Sequence, residues 1–128
     1  MDTMQISSAQ STDDPINAAA LDQLAALDPS GKVGLVQRVL QTYRRSLQKA
    51  MADLEDHLAA ANWVEVGRVT HTLRSSSASV GALAVADLCK QAELAARQGR
   101  HEALPALCQS LQNESGGVLR RLDDLIRP

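Results

Sequence analysis

The sequence predicts an all-α protein: an antiparallel up-down four-helix bundle with a short additional N-terminal helix. Three observations predict it. The chain is rich in Ala, Leu, Gln and Arg but has no Phe, one Trp and one Tyr, a composition that favours helix over strand. Apolar residues recur every three or four positions over long stretches, the period of helices with one buried face. These stretches are joined by short breaks containing Gly, Asn or Pro, and short connections between long amphipathic helices place neighbours antiparallel. At 128 residues with a 45 % hydrophobic fraction, the chain has the length of one domain and enough apolar side chains for a core.

Residues 1–14 are small, polar and aperiodic, and read as a disordered tail or linker ahead of a domain over 15–128. Asp14-Pro15 or Asn17 caps a first helix reaching about Leu27, with Leu21, Leu24 and Leu27 facing inward. Asp28-Pro29-Ser30-Gly31 is a turn cluster. A long helix follows, from about Lys32 to Ala61. Its apolar stripe runs from Leu35, Val36, Val39 and Leu40 through Tyr43, Leu47, Ala50 and Met51 to Leu54, Leu58 and Ala61; Arg38, Arg45, Lys49, Asp53 and Asp56 lie opposite. Asn62 closes it. The third helix, about Trp63 to Ser79, has a seam of Trp63, Val66, Thr70, Leu73, Ser77 and Val80, and Gly81 ends it. The fourth spans about Leu83 to Gln98, with Val85, Leu88, Cys89, Ala92 and Ala96 inward and Gly99 as the stop. The last runs from about His101 to Ile126. Pro105 fits its first turn, where the amides have no partner to lose. Gly116-Gly117 is its weak point, costing about 1 kcal/mol per Gly against Ala, and gives it room to kink or break.

Composition also narrows function. A net charge of −2, without a basic surface interleaved with aromatics, gives no reason to expect nucleic acid. No window is apolar for the ~18 residues that a membrane span needs. The first residues lack the basic-then-apolar pattern of a secretory signal, so a cytoplasmic chain is expected. Cys89 and Cys108 fall on apolar helical positions and read as reduced core thiols. They lack metal-ligand spacing, and none of His57, His71 and His101 has a Glu three residues before it, as a carboxylate-bridged metal bundle requires. No metal site is expected. Between Glu65 and Arg100 there are five Lys or Arg against three acids, a net +2 within a chain of net −2. That asymmetry suits a locally positive face for an acidic partner.

The segment Thr70-His71-Thr72-Leu73-Arg74-Ser75-Ser76-Ser77 lies at the centre of this face. His71 is one position off the seam, at its edge. The residues one turn away on either side are Gly67 and Ser75, too small to cover a ring. Arg68 and Arg74 sit three residues to either side. An uncovered imidazole between arginines suits a nucleophile that meets an anionic partner. Such a ring attacks phosphorus with a solvent-facing nitrogen while an acceptor holds the other as N–H. Phosphoryl transfer asks little more than position and positive charge near the equatorial oxygens. Arg74 is within reach of those oxygens, with Arg68 on the other side, and the hydroxyls of Ser75 and Ser76 could donate to them. Gly67, Ser75 and Ala78 would let another protein's backbone come close.

The string from His71 to Ser77, followed by Gly81-Ala82, resembles the signature of histidine-containing phosphotransfer (HPt) domains, His-x-Leu-Lys-Gly-Ser-Ser with a Gly-Ala shortly after. Asn62-Trp63 resembles that family's usual Asp-Trp, and Leu88-Cys89 with Glu93 its Leu-Cys-x-x-x-Glu pattern. The resemblance covers about Ala19 to Ile126. It implies phosphorylation of His71 at Nε2, exchange of the phosphoryl group with an aspartate of a response-regulator receiver domain, and no ATP binding of its own. It implies that Glu93 orients the ring by accepting from Nδ1–H, and that Arg74 and Ser75 stand where the family has Lys and Gly. The guanidinium keeps the cation but presents a planar fork, and Ser75 adds a small group beside the ring. The docking surface is expected at Gly67, Arg68, Ser75 and Ala78, with an apolar patch on the neighbouring helix and the loop side of the long helix, drawn from whichever of Leu35, Val36, Leu40 and Leu83 are exposed. The domain itself needs no cofactor; Mg²⁺ is expected on the receiver. A monomer is expected, either free-standing or as the C-terminal module of a hybrid kinase. A sensor-kinase phosphoacceptor helix is a rival, but it carries an acid directly after its His and a Pro five residues on, where this chain has Thr72 and Ser76. The alternative from another class is a non-catalytic helical adaptor with an idle His71.

Overall fold

The computed structural model describes residues 14–127, so the expected tail lies almost wholly outside the described residues. Five α-helices follow in order: α1 (Ala18–Ala26), α2 (Leu35–Ala59), α3 (Trp63–Val80), α4 (Leu83–Arg97) and α5 (Leu104–Leu125), with a 3₁₀ turn at His101–Ala103 before α5. Helices α2 to α5 form the antiparallel bundle: α2 packs on α3, α3 on α4, α4 on α5, and α5 closes the ring against α2. The α3–α4 pair shares the largest contact, and α1 lies across the end formed by α2 and α3. Among the described residues there is no strand.

Each helix starts and stops for a local reason. Asn17 caps α1, its side-chain oxygen accepting from the Ala20 amide at 3.1 Å. The Asp28 carboxylate reaches past the turn cluster to the first amide of α2, accepting from Leu35 N at 3.2 Å. Helix α2 closes one residue before the expected Asn62: Ala61 takes the left-handed conformation (φ 54°), which costs a residue with a Cβ about 1–2 kcal/mol. At the end of α3, Gly81 is left-handed (φ 86°) and the Ala82 amide donates back to the Ser77 carbonyl at 2.8 Å. A side chain there would collide with the N-terminal segment, since a Cβ would lie 2.9 Å from both Ala20 Cβ and the Asn17 carbonyl oxygen. The Gly81 carbonyl accepts from Asn17 N at 2.8 Å, which ties the N-terminal segment to the bundle.

The core is one cluster drawn from all four bundle helices. Leu40, Leu47 and Leu54 of α2, Val66, Leu73 and Val80 of α3, Val85 and Cys89 of α4, and Leu104, Leu111, Val118 and Leu122 of α5 are essentially inaccessible. A fully buried Leu or Val of this kind contributes about 1.5–3 kcal/mol relative to an exposed one. The polar side chains of the interior are paired: Thr70 Oγ1 donates to the Val66 carbonyl at 2.9 Å, and Tyr43 Oη and Ser77 Oγ share a 2.7 Å hydrogen bond. Only Ser115 Oγ is buried without a partner among the described residues.

Three expectations change. Leu27 is exposed because α1 ends at Ala26 and no element covers its last turn. Helix α2 begins at Leu35 rather than Lys32, since the loop continues through Gly34. Helix α5 passes through Gly116-Gly117 unbroken, flanked by buried Ser115 and Val118; packing of the inner face outweighs the glycines' low helix propensity.

Candidate functional site

The seam of α3 fixes the site. Val66, Thr70, Leu73, Ser77 and Val80 point inward. His71, one step round the helix from Thr70, therefore emerges at the rim of the α3–α4 contact with 66 % of its side chain exposed. From across that contact comes Glu93 of α4. It is on the inner side of its helix, next to buried Ala92, and is only 5 % exposed.

A buried carboxylate needs partners, and Glu93 has three. Its Oε2 lies 2.7 Å from His71 Nδ1 and 2.5 Å from Arg97 Nη2, and its Oε1 lies 3.3 Å from Arg74 Nη1. A carboxylate only accepts, so the ring nitrogen facing it donates. In the neutral ring this contact selects the tautomer with the proton on Nδ1, and the lone pair is then on Nε2, which has no hydrogen-bond partner among the described residues. This arrangement supplies an oriented nitrogen nucleophile with a guanidinium one turn away.

The predicted residues are not all in the same situation. Arg74 is half-exposed and bound to Glu93. Ser75 is exposed, one turn from His71. The Ser76 hydroxyl turns back to the Leu73 carbonyl at 3.2 Å, away from the open face. Arg68 is exposed and its Nε donates to Glu65 Oε2 at 3.1 Å. Ala78 is exposed, two turns beyond His71. Gly67 is half-buried: it packs toward α4, where a Cβ would lie 3.5 Å from Ala96 Cβ, and it also lines the cleft beside the ring. In the expected apolar patch Leu40 is buried, Leu35 and Val36 are half-buried, and Leu83 is exposed. The ring of four helices wraps α2 closely enough to take Leu40 out of any surface.

Two features escaped the sequence reading. Arg97 is the first: it lies four residues after Glu93, the spacing of facing side chains on a helix, and so beside the carboxylate that the family resemblance already gave to the ring, yet it has no place in the family signature. The second is a cleft of about 620 Å³ beside the ring, between the first turns of α3 and the end of α4. Trp63, Val64, Gly67 and Ala96 give it apolar walls and Arg68 and Arg97 give it charge. Trp63 stacks on His101 there, with ring centroids 4.8 Å apart.

Cys89 sits close to this site but is sealed from it. Burial, with Cys108 and Glu93 nearby, pushes its thiol up to about 12. It remains a protonated core thiol, and Cys108 is likewise buried, free and shifted upward by burial. Among the described residues no three His, Cys, Asp or Glu side chains gather in a way that could hold a metal ion. No described helix is long and apolar enough to cross a membrane.

The model of the Hpt domain family matches residues 38–126, which include α3, α4, α5 and nearly all of α2. The crystal structure of histidine-containing phosphotransfer protein B (HptB) from Pseudomonas aeruginosa PAO1 is similar to this chain with a TM-score of 0.77. That likeness covers 85 % of this chain and 91 % of the other; at 21 % identity it is a likeness of fold. No curated protein sequence matches the chain.

Proposed function

The chain belongs to the Hpt domain family, and from that premise we propose that His71 is its phosphorylated residue, exchanging a phosphoryl group with the aspartate of a receiver domain. Hpt domains are phosphotransfer carriers in phosphorelays rather than kinases, and they interact with response-regulator receiver domains. The observation that carries the assignment to His71 is the 66 % exposed ring combined with the 2.7 Å contact between its Nδ1 and Glu93.

In the forward step the Nε2 lone pair forms an N–P bond. The acyl O–P bond of the receiver's aspartyl phosphate breaks, and its electron pair stays on the aspartate. The neutral ring becomes a phosphoimidazolium whose positive charge lies against Glu93. In the reverse step the N–P electrons return to Nε2. Because Nδ1 keeps its proton, the group that leaves is neutral imidazole rather than imidazolate, which keeps the transfer reversible. Arg74 steadies the phosphoryl oxygens and Ser75 lines their approach. Exposed Arg68 and Ala78 border the docking partner, together with the open edge of Leu83. The domain needs no cofactor in this scheme; the receiver brings Mg²⁺ in its own acidic pocket. We further infer a cytoplasmic monomer, in keeping with the negative net charge and the absence of an apolar spanning helix among the described residues.

The test is transfer from a panel of phosphorylated receiver domains. The wild type is expected to take the label and His71→Gln to take none while keeping its fold. Labelling of the variant would refute the site. A wild type that binds receivers but takes no label would be the adaptor with an idle histidine.

A further inference from the structure

We propose that Arg97 is a positioning residue that acts through Glu93: it stays with the carboxylate so that Arg74 can leave it for the phosphoryl group. The inference rests on His71 as the phosphorylated residue, and it concerns how one carboxylate serves two arginines. Both guanidiniums lie on Glu93, but differently. Arg97 is on the same helix, one turn on, and binds at 2.5 Å the oxygen that also accepts from His71 Nδ1. Its hold on Glu93 is intrahelical and does not depend on what α3 does. Arg74 reaches across from α3 to the other oxygen at 3.3 Å, near the limit of a hydrogen bond, and sits one turn from the ring that would carry the phosphoryl group. Of the two, Arg74 has the weaker hold on Glu93 and sits on the ring's own helix.

Phosphorylation would place about two negative charges on Nε2, on the solvent side of the ring. Arg68 is paired with Glu65 at 3.1 Å and Arg97 with the oxygen that holds the ring, so Arg74, on the ring's own helix and with the looser contact, is the cation placed to answer. Its departure would strip a 5 % exposed carboxylate of a cation, and breaking a buried ion pair is costly. Arg97, together with the positive charge that the phosphorylated ring gains, offsets that cost. It keeps Glu93 charge-paired and fixes Oε2 where the Nδ1 proton needs it, in both the free and the phosphorylated states. The two arginines therefore have different tasks: Arg74 meets the phosphoryl oxygens, and Arg97 holds the group that holds the ring.

Arg97 is largely exposed, so substituting it opens no cavity. The experiment compares wild type, Arg97→Gln, Arg97→Lys, Arg74→Gln and the Arg74→Gln/Arg97→Gln double variant. It uses ¹⁵N spectra of the histidine rings in the unphosphorylated proteins and the rate of His71 labelling by phosphoramidate, a small phosphoryl donor that needs no receiver. Arg97→Gln is expected to mix the Nδ1–H and Nε2–H tautomers of His71 and to slow labelling about tenfold, the scale of one hydrogen bond to a charged group. Arg97→Lys restores both in large part. Arg74→Gln slows labelling with the tautomer unchanged. In the Arg97→Gln background, removing Arg74 adds little, because Arg74 is then retained by Glu93. Ring spectra unaltered by Arg97→Gln, or rate losses that simply multiply in the double variant, would overturn the proposal. If no protein is labelled on His71, the assignment of the phosphorylated residue falls, while the tautomer spectra still decide whether Arg97 positions the ring.

Discussion

Two hydrogen bonds of 2.7 Å tie α3 to its neighbours, and they differ in everything but length. Tyr43–Ser77 joins α2 to α3 in the interior, where the phenol is 3 % exposed and the hydroxyl is inaccessible. His71–Glu93 joins α3 to α4 at the rim, where the carboxylate is buried and the ring is open to water. In the first pair both groups are spent on each other, and the contact can only stabilise. In the second, one ring nitrogen is spent and the other is left free. The difference teaches that a short inter-helix hydrogen bond does not mark a reactive site; an unsatisfied, outward-facing atom on one partner does.

That contrast can be broken from either side. The largest effect is expected from Glu93. Glu93→Ala removes the acceptor that selects the reactive tautomer, and the rate of transfer from a phosphorylated receiver should fall roughly hundredfold, in the range for losing a positioned proton-handling group. Glu93→Gln keeps an amide oxygen for Nδ1–H and should lose much less. Equal losses in the two variants, measured in the same transfer assay, would mean that the carboxylate's position does not matter.

The interior pair should respond in stability and not in transfer. Tyr43→Phe leaves the Ser77 hydroxyl without its partner and should cost about 1 kcal/mol in a urea titration, with labelling of His71 unchanged. The same residue gives a pH signature. Burial pushes the Tyr43 phenol up to about 12, from an ordinary value of 10.0, and the Cys89 thiol up to about 12, from 9.0. In the unfolded chain both ionise earlier, so between pH 9 and about 12 the unfolded state binds fewer protons and stability falls as pH rises. Stability is full below pH 9. Tyr43→Phe should flatten the part of this fall above pH 10 and leave the part that begins at pH 9, which belongs to Cys89 and Cys108; an unchanged profile would place the alkaline transition elsewhere.

The sequence carried the fold because the core of a helical bundle is periodic. Val66, Thr70, Leu73, Ser77 and Val80 could be assigned to one face of α3 by spacing alone, and His71 followed at its edge. The misreadings came where periodicity meets an end or a neighbour. Leu27 continues the pattern of α1 past the last turn that anything covers. Leu40 is on the expected stripe, yet how far α2 sinks into the bundle depends on three other helices. Gly67 borders the cleft beside His71 and also packs on Ala96 of α4, a double placement that spacing along α3 does not reveal. Arg97 had a visible i+4 relation to Glu93, but the meaning of that relation depends on which residues of α3 and α4 face each other, a register that no single helix encodes.

The central claim is that Nε2 of His71 is the atom that takes the phosphoryl group while Nδ1 keeps its proton against Glu93. The direct measurement is ³¹P–¹⁵N NMR of the chain after transfer from a phosphorylated receiver. The account predicts phosphorus coupled to Nε2 of His71 with a proton retained on Nδ1. Phosphorus on Nδ1, or on His57 or His101 instead, would contradict it.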